Sequence, residues 1–232
     1  MNQLSKQNRL PLNKIICGDS IKIMKTFPDK SIDSVITDPP YGTNYGKIQN
    51  DETLDTYIKS LREIFRILKD KTFFITYCYP LYIPRIIKEA ESVGFIYRWL
   101  GFNYYPNMFK QKPQPLGYNR YDSFLVFSKG LAKKRGYIKD TIHILMDKKN
   151  NKNREFGHPH QKPEKCAIKL FKAILGNEFN NNFIFLDPFC GTGVFIVEAV
   201  KRGCKYIGID IEPKYVNITK HRIKNVRGGS YE

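Results

Sequence analysis

Four short apolar runs in this chain each end on an aspartate. Residues 14–17 lead through Gly18 to Asp19, residues 32–37 to Asp38, residues 183–186 to Asp187, and residues 206–209 to Asp210. Beside them the spacing turns helical. Leu54, Tyr57, Ile58, Leu61, Ile64, Phe65 and Leu68 recur at i, i+3, i+4 and i+7, which lays an apolar stripe along one helix face. Pro163 opens a second such stretch and Gly176 closes it, with Ala167, Leu170, Phe171 and Ile174 on one face. Further helices are expected over 21–27 (capped by Ser20), 86–93, 193–202 and 215–223, and further strands over 72–78, 95–105 and 123–127. Strands alternating with helices predict an α/β fold with a mostly parallel sheet, because each parallel pair needs a crossover that packs on the sheet. Ligands of open α/β sheets bind at the carboxyl ends of the strands. The four carboxylates should therefore crowd one rim.

A length of 232 residues suits one hydrophobic core, and 41% hydrophobic with 26% charged residues is ordinary for a globular chain. The charge is not ordinary. Lys and Arg total 39 against 22 Asp and Glu, a formal +17. A polyanionic partner accounts for such an excess, since each phosphate neutralised by Lys or Arg releases a counterion; a lysine-rich solvated surface is the bland alternative. Much of the excess gathers where periodicity fails. Residues 107–154 hold Lys110, Lys112, Arg120, Lys133, Lys134, Arg135, Lys148, Lys149, Lys152 and Arg154, interspersed with Gln and Asn. The stretch 130–157 has too little apolar periodicity for a core of its own. Cys17, Cys78, Cys166, Cys190 and Cys204 show no paired spacing and read as reduced thiols. No run is long and apolar enough for a leader or a membrane span, so no membrane partner and a cytoplasmic location are expected.

Two motifs carry chemistry. Asp187-Pro188-Phe189-Cys190-Gly191-Thr192-Gly193 lies between a strand and a helix, where glycines let the backbone approach a ligand. Asp210, after the next strand, suits a ribose diol. A rim of four carboxylates would repel dinucleotide phosphates. It suits S-adenosylmethionine, which carries a sulfonium, an ammonium and an adenosine with N–H and O–H donors. The second motif is Asp38-Pro39-Pro40-Tyr41-Gly42. Two prolines fix φ and remove two backbone donors, leaving acceptors: the Asp38 carboxylate and a proline carbonyl. An aryl amine needs two acceptors for its two hydrogens, which leaves the nitrogen lone pair free to attack. Tyr41 supplies a stacking face.

With these motifs the sequence resembles the DNA amino-methyltransferases that act on adenine N6 or cytosine N4. DPPYG looks like their catalytic motif and DPFCGTG like their cofactor loop. The catalytic motif comes first, which resembles the circularly permuted β group. His158-Pro159-His160-Gln161-Lys162-Pro163 looks like that group's HPTQKP element, and Cys17-Gly18-Asp19-Ser20 like its N-terminal acid segment, which implies a contact from Asp19 to the cofactor's adenine amine. Gly208-Ile209-Asp210, Tyr215 and Arg222 look like its ribose-binding strand and helix. Tyr121-Asp122-Ser123-Phe124 through Lys129-Gly130 loosely matches a YE…KG stretch, with Asp where Glu is usual.

The resemblance implies one Rossmann-like, doubly wound sheet with an antiparallel strand that the pattern does not identify. It implies a single catalytic domain over 1–232, with a target-recognition insert at about 107–157. The catalytic set is Asp38, Pro39, Pro40 and Tyr41. The cofactor set is Asp19, Asp187, Phe189, Cys190, Gly191, Thr192, Gly193, Asp210 and Lys162, and the basic residues of 107–154 form the DNA-binding set. The expected reaction is methyl transfer from S-adenosylmethionine to adenine N6 in duplex DNA, with the target base flipped out. Adenine comes first because the family's cytosine enzymes more often carry Ser at the Asp38 position. The rival readings are a cytosine-N4 enzyme, an RNA or protein-amide methyltransferase, and a basic nucleic-acid-binding module on a methyltransferase fold. A cognate restriction endonuclease and a second copy of the chain are candidate partners. No metal is expected; His158 and His160 have Pro between them and no third ligand.

Overall fold

The computed structural model describes residues 9–42, 54–107, 113–114, 117–118, 120–133, 135–137, 139, 141–145, 161–178 and 180–228. In chain order its strands are β1 (Lys14–Cys17), β2 (Ser34–Thr37), β3 (Thr72–Cys78), β4 (Ile96–Tyr104), β5 (Pro113–Gln114), β6 (Gly117–Tyr118), β7 (Tyr121–Lys129), β8 (Thr141–His143), β9 (Ile184–Asp187) and β10 (Lys205–Asp210). Its helices are α1 (Ser20–Met24), α2 (Asp55–Ile67), α3 (Ile83–Ser92), α4 (Glu164–Leu175), α5 (Val194–Lys201) and α6 (Pro213–Gly228). Eight strands form one sheet in the order β1-β10-β9-β2-β3-β7-β4-β8, and β5 and β6 pair separately. Among the eight, β7 alone runs antiparallel to its neighbours β3 and β4. It is the antiparallel strand the resemblance implies.

The chain builds this sheet outward from its middle. From β9 it winds through β10, whose partner on the other side is β1; β2 lies on the opposite side of β9 and leads to β3. The order therefore reverses between β9 and β2, the topological switch point where open α/β sheets bind ligands. Strand alternation sends β3 Phe74 to one face and Ile75 and Tyr77 to the other, and each face has its own core. Leu61, Ile64 and Ile67 of α2 and Ile86 and Ala90 of α3 bury against one face. Cys166, Leu170 and Phe171 of α4, Ile196 of α5 and Val216 and Ile223 of α6 bury against the other. Side chains such as Phe74, Phe171 and Phe185 are fully buried, each contributing roughly 1.5–3 kcal/mol.

Several sequence expectations change. Asp19, not Ser20, caps α1, accepting from the backbone N–H of Ile21 and Lys22 while Ser20 is buried. Residues 121–129 are no part of an insert: β7 sits inside the sheet, buried from Ser123 to Lys129. The polar stretch after Gly130 also reaches the core, because β8 pairs with β4 and buries Ile142, followed by Ile144. Three residues are too short a run for periodicity to register.

Direction then fixes which loops lie near the carboxyl rim. Because β7 is antiparallel, Lys129 pairs with Thr72 at the amino end of β3. Residues 130–133, 135 and 136 lie at that end, where Arg135 and Gly136 donate to the Ala173 carbonyl near the end of α4, and Arg135 pairs with Glu178 at 2.7 Å. Lys133 and Arg135, both placed in the DNA-binding set, thus sit at the opposite end of the sheet from Asp38. Arg120 stands at the rim, its guanidinium donating to the Pro106 carbonyl at 3.1 Å. Lys110, Lys112, Lys134, Lys148, Lys149, Lys152, Arg154, His158 and His160 lie outside the described residues.

Candidate active site

The four aspartates come together as the strand pattern requires. Asp19, Asp210, Asp187 and Asp38 stand at the carboxyl ends of the adjacent parallel strands β1, β10, β9 and β2. Asp187 and Asp38 straddle the switch point, and Thr37 ties them together by donating its hydroxyl to Asp187 Oδ1 at 2.7 Å. The same oxygen accepts from the Phe189 N–H at 3.2 Å, starting the turn of the glycine loop.

That loop is held from three sides. Asp210 accepts from the Gly191 N–H at 2.7 Å through one carboxylate oxygen and from the Glu212 N–H at 2.9 Å through the other. Thr219 of α6 donates to the Gly191 carbonyl, and the buried Arg222 donates to the Thr192 carbonyl and pairs with Glu164 of α4. Gly191 and Gly193 have φ of 49° and 78°, the left-handed region that costs other residues strain. A Cβ on Gly193 would also run into the Thr219 side chain. Cys190 is buried, and burial pushes its thiol well up, so it packs behind the loop as a neutral thiol.

These residues fit S-adenosylmethionine. Burial pushes the Asp187 carboxyl up to about 8, despite the bonds from Thr37 and Phe189. Burial also raises Asp210, against its two backbone donors. Among the described residues neither has a cation within salt-bridge distance. A ligand with positive charge would supply what buried Asp187 and partly buried Asp210 lack, and each Asp210 oxygen keeps a second lone pair for a ribose hydroxyl.

On the other side of the switch point, β2 is fully buried and Pro39 is buried behind it, so the two prolines fix a turn with Asp38 half-exposed at the rim. Tyr41 packs on the core and donates its hydroxyl to Asp38 Oδ1. Lys162, grouped by the sequence with the cofactor residues, lies against this turn. Its buried ammonium lies 2.9 Å from Asp38 Oδ2, 3.3 Å from the Tyr41 hydroxyl and 3.7 Å from Asp122 Oδ2. Asp122 comes from β7 and is held by the Tyr105 hydroxyl at 2.7 Å. Sequence reasoning missed Asp122 and Tyr105; the loose YE…KG match, with its Asp for Glu, was the available signal. One residue before Lys162, the buried Oε1 of Gln161 has no hydrogen-bond partner among the described residues.

An α/β sheet with a carboxylate-rimmed glycine loop beside an acceptor-only Asp-Pro-Pro turn defines a nucleotide-type cofactor cleft joined to an amine-binding one. The comparisons narrow that class. The family model described as DNA methylase, of the N6/N4 methyltransferases, matches residues 32–221. The type II methyltransferase M.HpaI of Haemophilus parainfluenzae is 30% identical over 93% of this chain and 76% of its own length. The DNA adenine methyltransferase YhdJ of Escherichia coli K12 is 26% identical over 90% and 82%. Among solved structures, the cytosine-N4-specific PvuII DNA methyltransferase superposes with a TM-score of 0.72 over 96% of this chain and 92% of its own, at 19% identity. This chain belongs to the N6/N4 DNA methylase family, whose methyl donor is S-adenosylmethionine.

Proposed function

We propose that the chain methylates the exocyclic N6 amine of adenine in duplex DNA, with the target base flipped out of the helix. The observation that carries this reading is the Thr37–Asp187 bond, which fastens the Asp-Pro-Pro-Tyr turn to the glycine loop across the switch point. It sets amine acceptors beside a cofactor cleft. When bound, S-adenosylmethionine supplies an electrophilic methyl group on a sulfonium and a neutral thioether leaving group. Asp38 and the Pro39 carbonyl accept the two amine hydrogens, so the nitrogen keeps its lone pair for the new N–C bond. Asp38 then takes up the proton that nitrogen sheds and passes it to solvent. Tyr41 offers its ring to the base once its hydroxyl leaves Asp38. Positioning and preplaced acceptors supply the acceleration.

Adenine is favoured by Asp38 at the first position of the motif and by the likeness to YhdJ, named as an adenine enzyme. The cofactor side is assigned Asp19, Asp187, Phe189, Gly191, Thr192, Gly193 and Asp210, with Cys190 packing behind the loop. DNA would lie over the carboxyl rim. Gly42, Leu54, Leu145 and Gln161, which border 43–53 and 146–160, stand at that end, as does Arg120. The likeness to a type II methyltransferase brings a cognate endonuclease into the same reading; self-association stays a proposal.

The test is expression in a host lacking adenine methylation, followed by sequencing with modified-base detection. N6-methyladenine at one sequence motif is the expected result, and its disappearance with Asp38→Ala, at S-adenosylmethionine affinity unchanged within about threefold, is the second. N4-methylcytosine in its place would overturn the base assignment. An Asp38→Ala protein with a tenth of wild-type activity would remove Asp38 from the mechanism.

A further inference from the structure

The resemblance groups Lys162 with the cofactor, but its contacts lie elsewhere. We propose that Lys162, bridged between Asp38 and Asp122, is the positioning residue of the catalytic turn: it binds Asp38 Oδ2 and leaves Oδ1 to receive the base's amine. This rests on the methyltransferase reading above.

The geometry has three parts. Lys162 is 7% exposed, and its ammonium sits 2.9 Å from Asp38 Oδ2 and 3.7 Å from Asp122 Oδ2. It also lies 4.9 Å from the centre of the Tyr77 ring, whose hydroxyl is fixed by Asn103. A buried ammonium so enclosed has one place to be. Asp122 is anchored from its own side by Tyr105, and Pro163 caps α4 immediately after Lys162. Asp122, Tyr77 and the start of α4 thus fix the ammonium, and among the described residues the ammonium alone reaches Asp38 Oδ2.

With Oδ2 committed to Lys162, the acceptor left for an amine is Oδ1, which among the described residues accepts from the Tyr41 hydroxyl alone. A Tyr41 that turns to stack on a base gives that bond up. Lys162 also brings a positive charge against Asp38. The other titratable groups facing Asp38 are Tyr41 of its own loop, Tyr57 of α2, Tyr77 and Cys78 of β3, Asp122 of β7 and Asp187 of β9. None is cationic, so among the described residues Lys162 supplies the positive charge. Burial works against its ammonium, but Asp122 and Asp38 outweigh burial and hold its pKa above the usual lysine range.

The experiment measures methyl transfer against pH, together with S-adenosylmethionine binding, for wild type, Lys162→Met, Lys162→Arg and the double variant Lys162→Met/Asp122→Asn. The double variant removes one charge of each sign and so leaves no unpaired acid at position 122. Loss of an adjacent cation should move the acid limb of kcat upward by about 1–3 pH units. Lys162→Met should show this shift in full and the double variant, which also loses the repelling Asp122, a smaller one, with kcat lowered in both. Lys162→Arg should return the limb to its wild-type position. Cofactor affinity should stay within twofold throughout. An acid limb unshifted in both Met variants overturns the proposal, and so does a tenfold weaker cofactor affinity in either of them, which would return Lys162 to the cofactor pocket. The methyltransferase reading fails separately, through an inactive wild type or an active Asp38→Ala.

Discussion

At the scale of single residues the carboxylates differ by what each touches. Asp210 fastens the glycine loop through the Gly191 and Glu212 N–H groups and is assigned the ribose. Asp210→Ala should weaken S-adenosylmethionine binding by about 1.5–3 kcal/mol, the range for bonds to a charged group. Calorimetric titration checks this, and an unmoved dissociation constant would take Asp210 out of the site. Asp187 makes a pH prediction. Burial pushes its folded-state carboxyl up to about 8, against 3.8 for a solvated aspartate, so near neutral pH the native protein holds a proton that the unfolded chain has lost. Its contribution to stability is complete below the unfolded value and is lost as pH rises towards 8. Both of its hydrogen bonds arrive at Oδ1, so Asp187→Asn keeps them and removes only the titration. Denaturant melts between pH 5 and 8 should show wild type losing stability relative to Asp187→Asn, by at most about 1.4 kcal/mol per pH unit. Parallel curves for the two proteins would mean that Asp187 is already ionised in the apo state.

At the scale of elements, a residue of the loose YE…KG match acts on a helix across the fold. Lys129, 8% exposed at the end of β7, donates to the carbonyls of Phe65 and Leu68, 2.7 Å each, at the end of α2. Those carbonyls belong to the unsatisfied last turn that every helix leaves. Lys129→Met keeps the apolar stem and strips both bonds, so a loss of about 2–4 kcal/mol in unfolding free energy is expected. Cofactor affinity should not follow, because α2 ends at the opposite end of the sheet from the glycine loop. A variant as stable as wild type would show that water caps α2 equally well.

At the scale of the whole molecule the +17 charge becomes a question of which end of the sheet carries it. Arg135 is held beside α4 at the amino end, whereas Leu145 and Gln161, on either side of residues 146–160, are at the rim. Replacing Lys148, Lys149 and Lys152 with Gln should weaken DNA binding for every sequence and reduce its salt dependence by about one unit of slope per lost phosphate contact. Replacing Lys133 and Arg135 with Gln should leave the slope where it was. Equal slopes for wild type and the triple variant would make those lysines solvated surface; a reduced slope in the Lys133/Arg135 pair would put DNA at both ends.

The sequence by itself determined the alternation of strand and helix, the aspartate after each of four strands, the glycine loop and the Asp-Pro-Pro-Tyr turn. These are local: each is written in a few consecutive residues whose dihedral and hydrogen-bonding limits hold before any tertiary contact forms. Tertiary structure alone decided that residues 121–129 are an inner strand, that Lys133 and Arg135 face away from the catalytic end, and that Lys162 joins Asp38 to Asp122. Asp38 and Lys162 are 124 positions apart, and β7 reads the same along the chain whichever way it runs. Strand direction and long-range pairing are set by which core faces must be buried together, and periodicity along one strand does not carry that information.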